Sequence, residues 1–317
     1  MLSLVYSPDY TLEWPGHVFP VEKYRLVHER LLLEGIAAER DFLRPGPAPD
    51  ALLGLVHSRS YLRRLERLSE TPSLGYLEFE VPVSPRVLNA FKVATSGSVL
   101  AAREALAGGA AVNLGGGFHH AFADRGEGFC LLNDIAVAVL ALRSEGAARR
   151  VAIIDCDLHQ GNGTAKIFQG DPEVFTFSIH QEDLYPVKQQ SDWDIGLEDF
   201  AGDDEYLPRL ADAVPKILDA HRPELAIYVA GADPFEEDQL GSLRLTVDGF
   251  LRRDRIIFGE VKRRGVPVLA LLAGGYARRT ENVVAIHVQM IREALAHFGP
   301  LRRAEQDVPR VADTRGQ

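Results

Sequence analysis

Six short apolar, β-rich runs recur along this chain, at residues 2–6, 110–114, 151–155, 174–179, 225–230 and 267–272. Longer stretches of helical periodicity lie between them, among them 87–106, 134–143, 208–219 and 247–263. Runs that are continuously apolar, rather than alternating, suit strands buried on both faces. Their alternation with helices predicts an α/β fold with a parallel sheet covered on both sides. Such sheets bind ligands in the crevice beyond the carboxyl ends of their strands. A length of 317 residues is within reach of one α/β domain, and no repeat or low-complexity linker divides it. The expectation is a single domain over residues 1–301 and a polar tail over 302–317, with the proline-rich segment 44–49 as a loop.

The residues just after each run are more informative than the runs themselves. The second run leads into Gly115-Gly116-Gly117-Phe118-His119-His120, and the third into Cys156-Asp157-Leu158-His159-Gln160-Gly161-Asn162-Gly163. The fourth leads into His180, the fifth into Gly231-Ala232-Asp233-Pro234, and the sixth into Ala273-Gly274-Gly275-Tyr276. Five strand ends carrying His, Asp or Tyr describe one polar site at one edge of a sheet. In an extended chain Asp155, Asp157 and His159 share a face, because strand side chains alternate. Zinc takes His nitrogen and Asp oxygen, and a catalytic site uses three protein ligands, which makes Asp233 the natural third. Iron accepts the same donors. His119 and His120 behind a glycine triplet read as an acid–base pair, and Tyr276 as a phenol able to hydrogen-bond a developing oxyanion.

Composition narrows the partners. A net charge of −10 opposes binding to nucleic-acid phosphates. No apolar run approaches the roughly 18 residues of a membrane span, and no signal peptide is visible at the start. With only Cys130 and Cys156, a disulfide framework is not expected, and a reduced, cytoplasmic protein is.

Gly-Gly-Phe-His-His at 116–120, Gly-Phe-Cys-Leu-Leu-Asn-Asp at 128–134, Asp-Cys-Asp-Leu-His-Gln-Gly-Asn-Gly at 155–163, Gly-Ala-Asp-Pro at 231–234 and Gly-Gly-Tyr at 274–276 resemble the histone deacetylase family, as does His17-Val18-Phe19-Pro20. The motifs stand in family order from about residue 15 to 280. The resemblance implies an arginase-like three-layer fold around a central, mostly parallel sheet. It implies Zn2+ held by Asp157, His159 and Asp233, the histidine pair beside the water, and Tyr276 polarising the acyl carbonyl. It places Gly128, Phe129 and Tyr185 along an acyl-lysine channel. A structural K+ would use Asp155, Asp157, His159, Ser178 and Ile179. Asp155 would orient His119, and Asn162 would face His120.

Three positions, in two motifs, depart from the commonest family pattern. Gln160 and Asn162 stand where many members have His and Asp, which with Asp203-Asp204-Glu205-Tyr206-Leu207 looks more like the class IV branch and its bacterial relatives. Ala273 replaces the first glycine of the usual Gly-Gly-Gly-Tyr. The expected activity is metal-assisted hydrolysis of an acylated lysine amide. Alternatives are the same chemistry on an acetylated polyamine and a non-catalytic metal-containing binding module. A binuclear arginase-like site is disfavoured because Gly161 stands where its Asp-x-His-x-Asp pattern needs a carboxylate.

Overall fold

The computed structural model of the chain describes residues 1–12, 14 and 16–303. Of the expected tail, residues 304–317 lie outside the described residues. Eight strands form one sheet: β1 (Leu2–Val5), β2 (Phe42–Leu43), β3 (Ala110–Asn113), β4 (Val151–Asp155), β5 (Val174–Gln181), β6 (Trp193–Leu197), β7 (Leu225–Val229) and β8 (Val268–Leu271). Their order is β2-β1-β3-β8-β7-β4-β5-β6, and every pairing is parallel. The six apolar runs are thus the six inner strands. The two additional strands are edges. Phe42–Leu43 is two residues long, and Trp193–Leu197 is only half-buried, so neither carries an apolar run to reveal it.

Helices flank the sheet. Pro85–Gly108 packs on β1, β3 and β8 and against the helix Asp134–Ser144. Lys23–Leu33, Thr280–Phe298, Val247–Arg264 and Asp203–His221 pack one against the next. Local chemistry starts the longest helix: the Ser84 hydroxyl accepts from the Val87 amide, and Pro85 takes the first turn, where its missing N–H costs nothing. Asp203–His221 begins earlier than its proline suggests. Pro208 lies inside it on the solvent face, where water can bond the freed carbonyl. Among the described residues, no helix is long and apolar enough to cross a membrane.

Beneath the sheet end lies a fully buried ion pair between Arg253 and Asp254. Arg253 also donates through Nη1 to the Gly231 carbonyl at 2.6 Å, and the Tyr228 hydroxyl donates to Asp254 at 2.6 Å. Removing one partner strands a buried charge, so Arg253→Met is expected to destabilise the fold by about 3–5 kcal/mol. Arg253→Met combined with Asp254→Leu should recover most of that. Urea unfolding measures both, and a single variant costing under about 1 kcal/mol would show that water solvates the pair.

Candidate active site

The five strands whose ends carry polar residues are consecutive neighbours in the sheet: β3, β8, β7, β4 and β5. Adjacency brings loops from residues 115 to 276 onto one edge. β4 stops at Asp155, so extended alternation is not what aligns the residues after it. Short backbone-to-carboxylate bonds do that instead. The Asp157 amide donates to Asp155 Oδ1 at 3.1 Å, and the His159 amide donates to Asp157 Oδ1 at 3.0 Å.

Asp157, His159 and Asp233 converge, with one ligand atom from each lying within 4.8 Å of the others, and all three are buried. His159 Nδ1 is 3.4 Å from Asp157 Oδ1 and 3.2 Å from Asp233 Oδ2. The remaining oxygens are tied down. Asp157 Oδ2 accepts from the Gly274 amide at 2.9 Å, and Asp233 Oδ1 from the Leu158 amide at 3.0 Å. Among the described residues, no Lys or Arg lies within ion-pair distance of either carboxylate. Burial and the neighbouring Asp157 raise Asp233 to about 6. Burial pulls His159 down, but Asp157 and Asp233 outweigh it and raise the imidazole to about 10. Two desolvated carboxylates around an imidazole nitrogen with no fixed cation fit a divalent metal ion.

Beside this cluster lie the paired histidines. His119 Nδ1 donates to Asp155 Oδ2 at 2.7 Å, and its Nε2 is 3.1 Å from His120 Nε2. His120 Nδ1 is 2.8 Å from Asn162 Oδ1. Burial lowers both imidazoles. For His119 the Asp155 and Asp157 charges overcome burial and lift it to about 9. His120, with an uncharged partner and cationic imidazoles nearby, falls well below the usual range. The lift on His119 comes from carboxylates whose charge a bound cation would offset.

The loop carrying the pair is held from behind. Asp134 accepts from the Gly117 and Phe118 amides at 3.0 and 2.7 Å and from the Ser98 hydroxyl at 2.5 Å. Gly117 takes φ +83° against Ala273, where a Cβ would come within 2.6 Å of the alanine methyl. Ala273 itself adopts φ +53°, and its carbonyl accepts from the buried Lys23 at 2.5 Å. That ammonium lies 5.8 Å from the centre of the Tyr276 ring, so it pins the tyrosine loop from below. Asp238 and Gln239 hold the other side, at the Tyr276 amide and carbonyl.

A channel of about 280 Å³ leads down to His120, His159 and Tyr276, walled by Gly128, Phe129, Tyr185 and Leu240 with Glu80 among its lining residues. His119 lies behind it, on a smaller cavity of about 20 Å³. Ser178 pairs with Asp155 in the sheet register, next to Ile179, and its hydroxyl lies 2.9 Å from His180 Nδ1.

Sequence reasoning misses several of these residues. Lys23, Glu80, Glu127, Asp238 and Gln239 are charged or polar and lie outside the apolar runs, where a solvated role is the default. Asp134 carries a weak signal as the last residue of the motif 128–134.

The histone deacetylase domain matches residues 17–291. The chain belongs to that family. It is 40% identical over 293 residues to an uncharacterized protein of Picosynechococcus, covering 92% of this chain and 97% of that one. It is 31% identical to Histone deacetylase 2 of Arabidopsis thaliana, over 94% of this chain and 81% of the relative. Its fold is similar to the crystal structure of an acetylpolyamine aminohydrolase from Burkholderia pseudomallei. The TM-score is 0.79 at 22% identity, over 93% of this chain and 99% of that one. As a family member this chain is a hydrolytic deacetylase with the arginase-like α/β fold. Its buried Asp-His-Asp group is able to hold a metal.

Proposed function

We propose that this deacetylase uses Zn2+ held by Asp157, His159 and Asp233 to hydrolyse the side-chain amide of an acylated lysine. The observation that carries the reading is the buried Asp-His-Asp cluster at the floor of an aromatic-walled channel, beside the histidine pair. When bound there, a divalent ion would supply Lewis acidity toward an acyl carbonyl and a water molecule.

The chain's own residues account for the rest. Phe129 and Tyr185 enclose the aliphatic stem of the substrate, and Gly128 leaves room for it. A Cβ on Gly128 would come within 2.6 Å of both His120 and the Tyr185 hydroxyl. His120, which lines the channel, takes the proton of the attacking water at Nε2 and passes one to the departing amine. His119, anchored to Asp155, holds its ring against that nitrogen. The Tyr276 hydroxyl hydrogen-bonds the oxyanion as it develops. Asp155, Ser178 and Ile179, with the backbone of Asp157 and His159, would hold a structural K+. Two buried, unpaired cysteines are compatible with a reducing cytoplasm.

One observation favours a second substrate. Glu80 lines the channel, and a carboxylate there attracts the extra ammonium groups of an acetylated polyamine. Turnover of acetyl-lysine peptides, longer-acyl-lysine peptides and N-acetylpolyamines by the zinc-loaded protein separates the two. Higher kcat/KM on acyl-lysine peptides is expected. A preference of tenfold or more for polyamines would reassign the substrate, and no turnover on any of them would remove the enzymatic reading.

A further inference from the structure

Asn162 is an uncharged partner for His120, yet a carboxylate is present one group further out. Glu127 opens a tight turn in which its amide donates to the Cys130 carbonyl at 3.2 Å and the Cys130 amide donates back at 2.9 Å. The two central residues, Gly128 and Phe129, have φ +52° and +66°, the left-handed pair that a two-residue hairpin turn requires. That backbone sends Gly128 and Phe129 into the channel wall and fixes Glu127 beside it. Glu127 Oε1 accepts from Asn162 Nδ2 at 3.0 Å and from the Tyr185 hydroxyl at 3.2 Å, and Arg125 stands 3.9 Å from the other oxygen.

A carboxylate only accepts hydrogen bonds, so the NH2 of Asn162 must face Glu127 and its carbonyl must face His120. That carbonyl in turn requires a hydrogen on His120 Nδ1. Which ring nitrogen of a histidine carries the proton is set by the bond the other makes, so the lone pair of neutral His120 is placed on Nε2. Without Glu127, the nearly isosteric amide can turn over and present its NH2 to Nδ1. The ring hydrogen then moves to Nε2, where the Nε2 lone pair of neutral His119, 3.1 Å away, accepts it, and the base is blocked. We propose that Glu127 is a positioning residue that locks the Asn162 amide and so holds His120 in its productive tautomer. This rests on the reading of His120 as the proton acceptor.

The test uses zinc-loaded protein and an acetyl-lysine peptide, with the His120 ring followed by two-bond 15N–1H correlation, which distinguishes the two tautomers. Glu127→Ala should lower kcat about three- to tenfold, the scale of one hydrogen bond's net worth, and show a mixture of tautomers. Glu127→Gln, whose amide can present either its oxygen or its NH2 to Asn162, should lose the one-way constraint and show a tautomer mixture as well, whereas Glu127→Asp, a shorter acceptor-only carboxylate, should recover part of the Nδ1–H form. In an Asn162→Asp background there is no amide to orient, so adding Glu127→Ala should no longer lower kcat. A Glu127→Ala protein that keeps Nδ1–H throughout would overturn the proposal, as would an equal fall in kcat in both backgrounds. If the unaltered protein hydrolysed no acyl amine, the proposed function would fail, while the tautomer measurement would still decide the role of Glu127.

Discussion

Asp233→Ala is expected to lose stoichiometric metal and nearly all turnover, as are Asp157→Ala and His159→Ala. Each residue supplies one of the three converging donor atoms, and a zinc site reduced to two protein ligands no longer matches a catalytic site's set. For Asp233→Ala the loss should be one of binding and not of folding. In the ion-free protein Asp233 faces Asp157 in a desolvated site, and its carboxyl is raised to about 6. A raised carboxyl costs stability at neutral pH, which offsets part of what is lost with the Leu158 and His159 contacts, so the ion-free Asp233→Ala protein should still fold. Metal analysis and thermal unfolding after chelation together check this. A variant that kept one equivalent of metal would remove its residue from the ligand set. The ion must also displace the proton that the two carboxylates hold on His159. Zinc affinity of the unaltered protein should therefore fall as pH falls, by about tenfold per unit while one proton is exchanged. A flat profile across the neutral range would show that the ion-free His159 does not hold that proton, and the His159→Ala metal content would then decide its ligation.

Tyr276→Phe should keep metal and fold and lower kcat by about 10²–10³, the range for losing one oxyanion donor. KM should change little, because the hydroxyl acts where charge develops in the transition state and not on the resting amide. The ring stays packed against Phe19 and Phe129, so the channel wall survives the change. The placement of that ring depends on Lys23 under Ala273 and on Asp238 and Gln239 at its backbone, contacts that phenylalanine preserves. A kcat within about threefold of the unaltered enzyme would make Tyr276 a packing residue.

Much of the site is legible in the amino-acid sequence because its signals are local. A parallel strand buried on both faces must be apolar along its length, and the break where it leaves the sheet is marked by Gly, Asp or His. The ends of β3, β4, β5, β7 and β8 therefore stand out, along with Asp157, His159, Asp233, His119, His120 and Tyr276. The edge strands Phe42–Leu43 and Trp193–Leu197 do not, because an edge buries too little to require an apolar run.

Which groups meet across long separations is decided by tertiary packing alone. The β3-β8-β7-β4-β5 order sets five loops side by side, although the run pattern is compatible with many strand orders. Lys23 reaches Ala273 across 250 positions, and Glu127 reaches Asn162 across 35. Each is a charged residue outside the apolar runs, and composition assigns such residues to solvent by default. Periodicity reports how much of a residue is buried. It carries no record of the partner, because the partner is chosen by the packing of the whole sheet and its helices.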